Sequence, residues 1–573
     1  MPFRAPVTDF QFLFDYVVDF AQVTATDRFA DADKDVTEAI LSEAGRMCEE
    51  VLYPVQRNGD LQGAVLENGV VRTSPGYAEA YAKVAEGGWI STSADPEYGG
   101  MGLPHSITMA VNEMMSAACL SLQLNPLMTQ GQIEALEHHA SDEIKALYLP
   151  RLITGEWAGT MNLTEPAAGS DVGALRSKAV SNGDGTYAVS GQKIFISWGD
   201  NDFTQNICHL VLARLPDGAP GTKGISLFLV PKFLPDENGA PGVANSLKVV
   251  SLEHKLGLHG SPTAVMEYDG ATGWMIGAEN GGMRAMFTMM NNARLGVGGQ
   301  GIGVAEGAFQ HALGYAMERK QGRTPVEGGS GTIVDHADVR RMLATMKADI
   351  FAARAIEMAC AVAIDMSTAT AEKDWAARAA FLTPIAKAFG TDTGIAVAEM
   401  GVQVHGGMGF IEETGAAQYA RDVRVTAIYE GTNGIQSMDL VGRKLMDGGE
   451  AAYALLDEIE DRAESVRATM PDLAEPLWQA TETLREATEW MVTQDNMNDR
   501  FAGSVPFLRG FARVLGGYFH LRAAIAEGGT GPRSILAQFY IKRLLPEHTG
   551  LLAHAVQGAD DLYALTPEEL GAA

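Results

Sequence analysis

The hydrophobic period of this 573-residue chain changes twice, and that double change constrains the fold more than any single motif. Up to about residue 155, stretches such as DVTEAILSEAGRMCEEVLYPV and ITMAVNEMMSAACLSL place apolar residues three or four apart, the stripe of an amphipathic helix. From about 157 to 275 the pattern shortens to β-rich runs, TYAVSGQKIFIS, HLVLARL, GISLFLVP and TAVMEYDG, separated by the turn formers NGDG, PDGAPG and DENGAPG. Helical spacing then returns and continues to the end, with GGEAA as a joint near 450. A chain of this length exceeds one hydrophobic core. The reading is a mostly helical α+β protein in four parts: an N-terminal helical domain over 1–156, a barrel-like middle β domain over 157–275, a helical bundle over 276–447 and a C-terminal helical domain over 448–573.

Charge narrows the function. Lys and Arg total 43 against 72 for Asp and Glu, a formal charge of −29, which repels nucleic-acid phosphates and anionic lipid surfaces. No nucleic-acid partner and no membrane span are expected, since no apolar run approaches the ~20 residues that a bilayer demands. Cys48, Cys119, Cys208 and Cys360 lie far apart, without a CxxC pair, which suits buried thiols in a reducing cytoplasm. Two motif-like features carry no chemistry. Gly296, Gly298 and Gly301 spell GxGxxG, but the preceding MRAMFTMMNNAR is helical by period, whereas a dinucleotide fingerprint needs a strand there; close helix packing is the better reading. His138 and His139 are adjacent, so they point to different sides of a helix, and no third ligand stands at metal spacing. No metal site is expected.

Two glycine-rich stretches remain. NLTEPAAGSD, 162–171, puts hydroxyls, acids and free backbone amides into a turn-rich segment suited to a polar ligand, and QVHGGMGF, 403–410, allows close backbone approach to a flat or phosphorylated group. In chain order LTEPAAGSD, GQKIFIS, EHKLGLHGSPTA, MNNAR, AMERKQGR, QVHGGMGF, ARD and IYEGTNGIQ resemble the motif series of the flavin-dependent acyl-CoA dehydrogenases, over about 40–445. The opening FRAPVTDFQFLF and the helical segment after 450 resemble the longer bacterial branch of that family.

The resemblance implies the acyl-CoA dehydrogenase fold, FAD as cofactor, a short acyl-CoA thioester as substrate and electron-transfer flavoprotein as acceptor. It implies Glu430 of IYEGTNGIQ as the catalytic base. It carries FAD contacts onto Leu163, Thr164, Ser170, Phe195, Ser197, Arg319, Gln403, Gly407, Thr432 and Gln436, some of them shared with a neighbouring subunit, hence a homo-oligomer with a dimer favoured. Ser170, Arg294, Tyr429 and Gly431 fall at substrate-binding positions. Departures from the family pattern are Asn162 where a small residue or cysteine is common, Phe195 for a tryptophan, Gln418 for a basic residue and a long loop after ERKQGR. The motifs leave open a short- or medium-chain fatty acyl substrate, an acyl-CoA oxidase and a catalytically silent scaffold.

Overall fold

A computed structural model describes residues 3–572, which form two compact units. One unit runs from Ser42 to Gly296; the other combines the chain up to Leu41 with everything from Val297. The four-part division read from the sequence follows element type, whereas compactness groups the first helices with the distant bundle. A half-buried charge cluster ties the first helix to that bundle. Asp9, on the helix Val7–Tyr16, meets Lys347 at 2.7 Å and Arg533 at 3.0 Å, and Arg354, fully buried, meets Glu306 at 2.9 Å. Burial alone would raise the Asp9 carboxyl, but Lys347 and Arg354 hold it down at about 2.

In the Ser42–Gly296 unit a seven-stranded sheet follows the helices, as the change of period requires. The strand Asn206–Arg214 is buried along nearly its whole length; it pairs parallel with Trp157–Asn162 and antiparallel with the equally buried Ile225–Pro231. Strands covered on both faces read as continuous apolar runs, which is why HLVLARL and GISLFLVP lack alternation. Tyr187–Ser197 and Thr263–Ile276 pair antiparallel, and Val189, Ile196, Phe228, Met266 and Tyr268 lie in the sheet's core. The N-terminal stretch is not purely helical. Val65–Glu67 and Val70–Arg72 form a hairpin closed by Asn68 and Gly69, both at positive φ, the two-residue turn that matches the natural strand twist.

In the other unit the helix that begins at Gly282 packs, beyond Val297, against Lys373–His405. The backbones nearly touch: a Cβ at Gly301 would lie 2.6 Å from the Gly390 carbonyl oxygen, and one at Gly298 would lie 3.0 Å from that of Ala386. The GxGxxG glycines are thus helix-packing residues. Among the described residues no helix is long and apolar enough to cross a membrane, and all four cysteines are buried.

Candidate active site

The candidate residues of the sheet unit are set by one buried ion pair. Lys193, fully buried on Tyr187–Ser197, donates to the Leu163 carbonyl at 3.0 Å and to Glu165 Oε1 at 2.8 Å. Glu165 in turn accepts from the Arg176 and Ser177 amides at 2.6 and 3.0 Å, and the Ile194 amide donates to the Thr164 carbonyl at 2.9 Å. Burial pushes the Lys193 ammonium down to about 8 against the pull of Glu165; burial pushes the Glu165 carboxyl up, but Lys193 and the amides hold it below its ordinary value. The LTEPAAGSD turn is therefore stitched to the strand that carries Phe195 and Ser197. Opposite that strand the register slips between Ala264 and Met266, a bulge that leaves Phe195 at φ +61° and 59% exposed. Leu163, Thr164 and Ser197 are half-buried, whereas Ser170 is exposed.

Beneath this turn Asn162 joins a buried polar chain. The Tyr268 hydroxyl donates to Asn162 Oδ1 at 2.9 Å, Asn162 Nδ2 donates to Thr160 Oγ1 at 2.9 Å, and Thr160 Oγ1 lies 2.7 Å from His209 Nδ1. The departure from the family pattern at 162 thus has a structural partner set of its own. Arg294 is buried, with its guanidinium carbon 5.9 Å from the Phe287 ring centroid. Asn292 two residues before it donates to Glu134 Oε2 at 2.8 Å, and burial raises the Glu134 carboxyl to about 7.

In the other unit Glu430 sits at φ +55° and Gly431 at +83°. A left-handed conformation costs a non-glycine residue about 1–2 kcal/mol, so a glutamate held there is fixed by its surroundings. Three contacts fix it. Thr432 caps the helix Asn433–Asp439, its hydroxyl accepting from the Ile435 amide at 3.2 Å. Gln436 Nε2 donates to the carbonyls of Glu430 and Gly431 at 3.2 and 3.4 Å. Lys387, fully buried, donates to the Gly431 carbonyl and to Asn433 Oδ1, each at 2.9 Å. Before the turn, the Tyr429 hydroxyl donates to Gln300 Oε1, and burial, with Glu430 nearby, raises that phenol well above its ordinary value.

Glu430, Gly431, Thr432, Gln436 and Tyr429 are thus brought into one network. Arg319, at the end of the helix Gly282–Glu318, is exposed, as are Gln403 and Gly407, and they are not drawn into it. These residues fit a dinucleotide such as FAD. Gln436 Oε1 is buried without a hydrogen-bond partner and its amide is already oriented, while a side chain at Gly406 or Gly407 would meet nothing within 4 Å. Lys193, Lys387, Asn433 and Asp392 are the residues that motif reading missed. The lysines have a signal, a charge inside an apolar run, as in PIAKAFGTD and GQKIFIS, where the period says the position is interior.

Four family descriptions match in chain order: acyl-CoA dehydrogenase N-terminal domain over 34–156, middle domain over 160–271, C-terminal domain over 280–446, and acetyl-CoA dehydrogenase C-terminal-like over 455–566. The chain belongs to the acyl-CoA dehydrogenase family. The 3-methylmercaptopropionyl-CoA dehydrogenase of Ruegeria pomeroyi is 45% identical, over 92% of this chain and 93% of that protein. A butyryl-CoA dehydrogenase of Syntrophomonas wolfei is 33% identical over 98% of each. The structure of Caenorhabditis elegans ACDH-11 in complex with C11-CoA has the same fold, with a TM-score of 0.80, 20% identity and coverage of 95% of this chain and 92% of that one. The acyl-CoA dehydrogenase assignment covers the C-terminal helices too, which in this family are a matched segment of their own and not an appended module of unrelated type.

Proposed function

We propose that this acyl-CoA dehydrogenase binds FAD and oxidises 3-methylmercaptopropionyl-CoA to 3-methylthioacryloyl-CoA, a step of dimethylsulfoniopropionate breakdown. The observation that carries the reading is Glu430, a carboxylate held in a left-handed backbone by Thr432, Gln436 and Lys387. The 45% identical 3-methylmercaptopropionyl-CoA dehydrogenase of Ruegeria pomeroyi supports the choice of substrate.

Glu430 removes the α-proton of the thioester. That proton is far too weakly acidic for a carboxylate in water, so the site must stabilise the enolate as charge moves onto the thioester oxygen. The Glu430 backbone N–H is the donor that this chain offers to that oxygen. Bound FAD would supply the hydride-accepting chemistry for the β-hydrogen, while Glu430 and its backbone N–H handle the proton and the oxygen charge. Leu163, Thr164, Phe195 and Ser197 would hold the flavin ring, with Ser170 between ring and CoA; Thr432 and Gln436, with Arg319, Gln403 and Gly407 of one or another copy, would hold the ADP portion. Arg294, Tyr429 and Gly431 are the remaining substrate contacts.

Met408, Phe410 and Ile411 are exposed apolar residues, Phe410 at 87%, beside the proposed ADP loop, which supports a homo-oligomer that covers them. Electrons would pass on to electron-transfer flavoprotein, and buried cysteines without a disulfide suit a cytoplasmic setting. The test is anaerobic flavin bleaching with a panel of thioesters. Fastest bleaching by 3-methylmercaptopropionyl-CoA is expected, with butyryl-CoA slower; a preference for long straight chains would overturn the substrate.

A further inference from the structure

We propose that Lys387 is the positioning residue that sets the geometry of proton abstraction. The inference rests on Glu430 as the base and adds what holds that base in place.

Glu430 and Gly431 are consecutive left-handed residues, a backbone that an isolated chain would leave. The segment is short, with Tyr429 on one side and the cap residue Thr432 on the other, so its shape depends on what grips residues 430–433. The grip comes from one face of the helix Lys373–His405. Lys387 Nζ reaches the Gly431 carbonyl and the Asn433 side-chain oxygen at 2.9 Å each. One turn on, Thr391 Oγ1 lies 3.2 Å from Asn433 Oδ1 as a donor and accepts from Asn433 Nδ2 at 3.0 Å, while Asp392 Oδ1 accepts from Asn433 Nδ2 at 2.7 Å. The Ala388 carbonyl accepts from the same nitrogen at 3.3 Å. Asn433, two residues past the turn and the first residue of its helix, is therefore held by four groups of a single helical segment.

Lys387 differs from the others in two respects. It reaches the main chain of the turn itself, at the peptide that follows Gly431, and it is an amine among neutral and acidic groups, a cationic donor being stronger than a neutral one. The Asp392 carboxyl on the same helix is pushed above its ordinary value by burial, opposed by Asn433, Arg509, Lys387 and Arg424. The helix bearing Lys387 is itself locked three residues later, at Gly390, against the helix that carries Gly298. The main chain of the turn is thus tied through one ammonium to a rigid helix pair. Proton transfer depends on where the carboxylate lies relative to the α-carbon, so loosening this tie should slow abstraction without changing how the thioester binds.

The experiment uses the flavin-loaded enzyme and two variants, Lys387→Met and Asn433→Ala. Three quantities are read in single turnover: the limiting rate of flavin bleaching, the substrate concentration giving half that rate, and exchange of the α-proton with deuterated water for a 3-thia thioester analogue. Both variants should retain flavin, with a half-saturating concentration within threefold of wild type. Bleaching and exchange should fall together, about 100-fold or more for Lys387→Met and less for Asn433→Ala. Wild-type bleaching in Lys387→Met, slowed bleaching with unchanged exchange, or failure of both variants to fold with flavin would each overturn the proposal. Glu430→Gln, run in parallel, separates the two ideas: if that variant still bleaches and exchanges normally, the base assignment fails, and if only Lys387→Met is normal, the positioning role fails.

Discussion

Two side chains of the candidate site hold backbone conformations that their residue types disfavour. Glu430 and Phe195 are both left-handed, one in each unit, and both fall in motifs implied to touch flavin or substrate. Strain of this kind persists where neighbouring contacts over-determine it. Phe195 is the cleaner test because it is 59% exposed and loses little burial on truncation. Phe195→Gly should stabilise the flavin-free protein by about 0.5–1 kcal/mol, the relief of left-handed strain less the greater freedom of an unfolded glycine, and should speed flavin release. A thermal midpoint that falls, with flavin retention unchanged, would contradict this. Sequence pattern alone presents Glu430 as one acid in a small-residue stretch; the motif series names it, and only the structure reveals its φ. A charge inside an apolar run marks Lys193 and Lys387 as interior, but the groups they hold, Glu165, Gly431 and Asn433, are read only from the structure.

At the scale of elements, period separated helices from strands well, since apolar stripes and covered strands leave different spacings. The Val65–Arg72 hairpin escaped because two three-residue strands are too short to show a period, although Asn68-Gly69 between β-branched residues is its signature. The packing of residues 3–41 with the bundle escaped for another reason: ion pairs between Asp9 and residues more than 300 positions away leave no local trace. The chain from Tyr268 through Asn162 and Thr160 to His209 tests how much the turn relies on its support. Asn162→Ala would leave the buried Tyr268 hydroxyl without its acceptor, and should cost about 2–3 kcal/mol in urea unfolding. A cost below about 0.5 kcal/mol would mean that the chain rearranges freely. Asp9→Ala should be at least as harmful, about 3 kcal/mol, since Lys347 and the buried Arg354 lose a carboxylate.

Across the whole molecule, acid is the expected weakness. Burial holds His209 and His520 down at about 3 and His105 at about 4, against about 6.5 for an exposed imidazole. The folded values lie below the unfolded one, so between them the unfolded chain binds the extra protons. Their stabilising effect is complete above about pH 6.5 and is lost as pH falls toward 4 and 3. Each adds up to about 1.4 kcal/mol per pH unit to the slope. The thermal midpoint should therefore fall steadily below pH 6.5, less steeply in His209→Gln, and a midpoint flat from pH 7 to 5 would contradict the account. Under the proposed sharing of the cofactor site between copies, Phe410→Asp should shift the sedimentation of the protein toward the monomer and lower its flavin content together; a monomer with full flavin would contradict it.

Everything in the proposed chemistry turns on Glu430 taking the α-proton. The direct measurement is anaerobic mixing of flavin-loaded wild type and Glu430→Gln with 3-methylmercaptopropionyl-CoA, following the flavin absorbance. Rapid bleaching is expected in wild type and, in a variant of normal flavin content, a rate lower by several orders of magnitude. Bleaching of Glu430→Gln at a rate near that of wild type would contradict it.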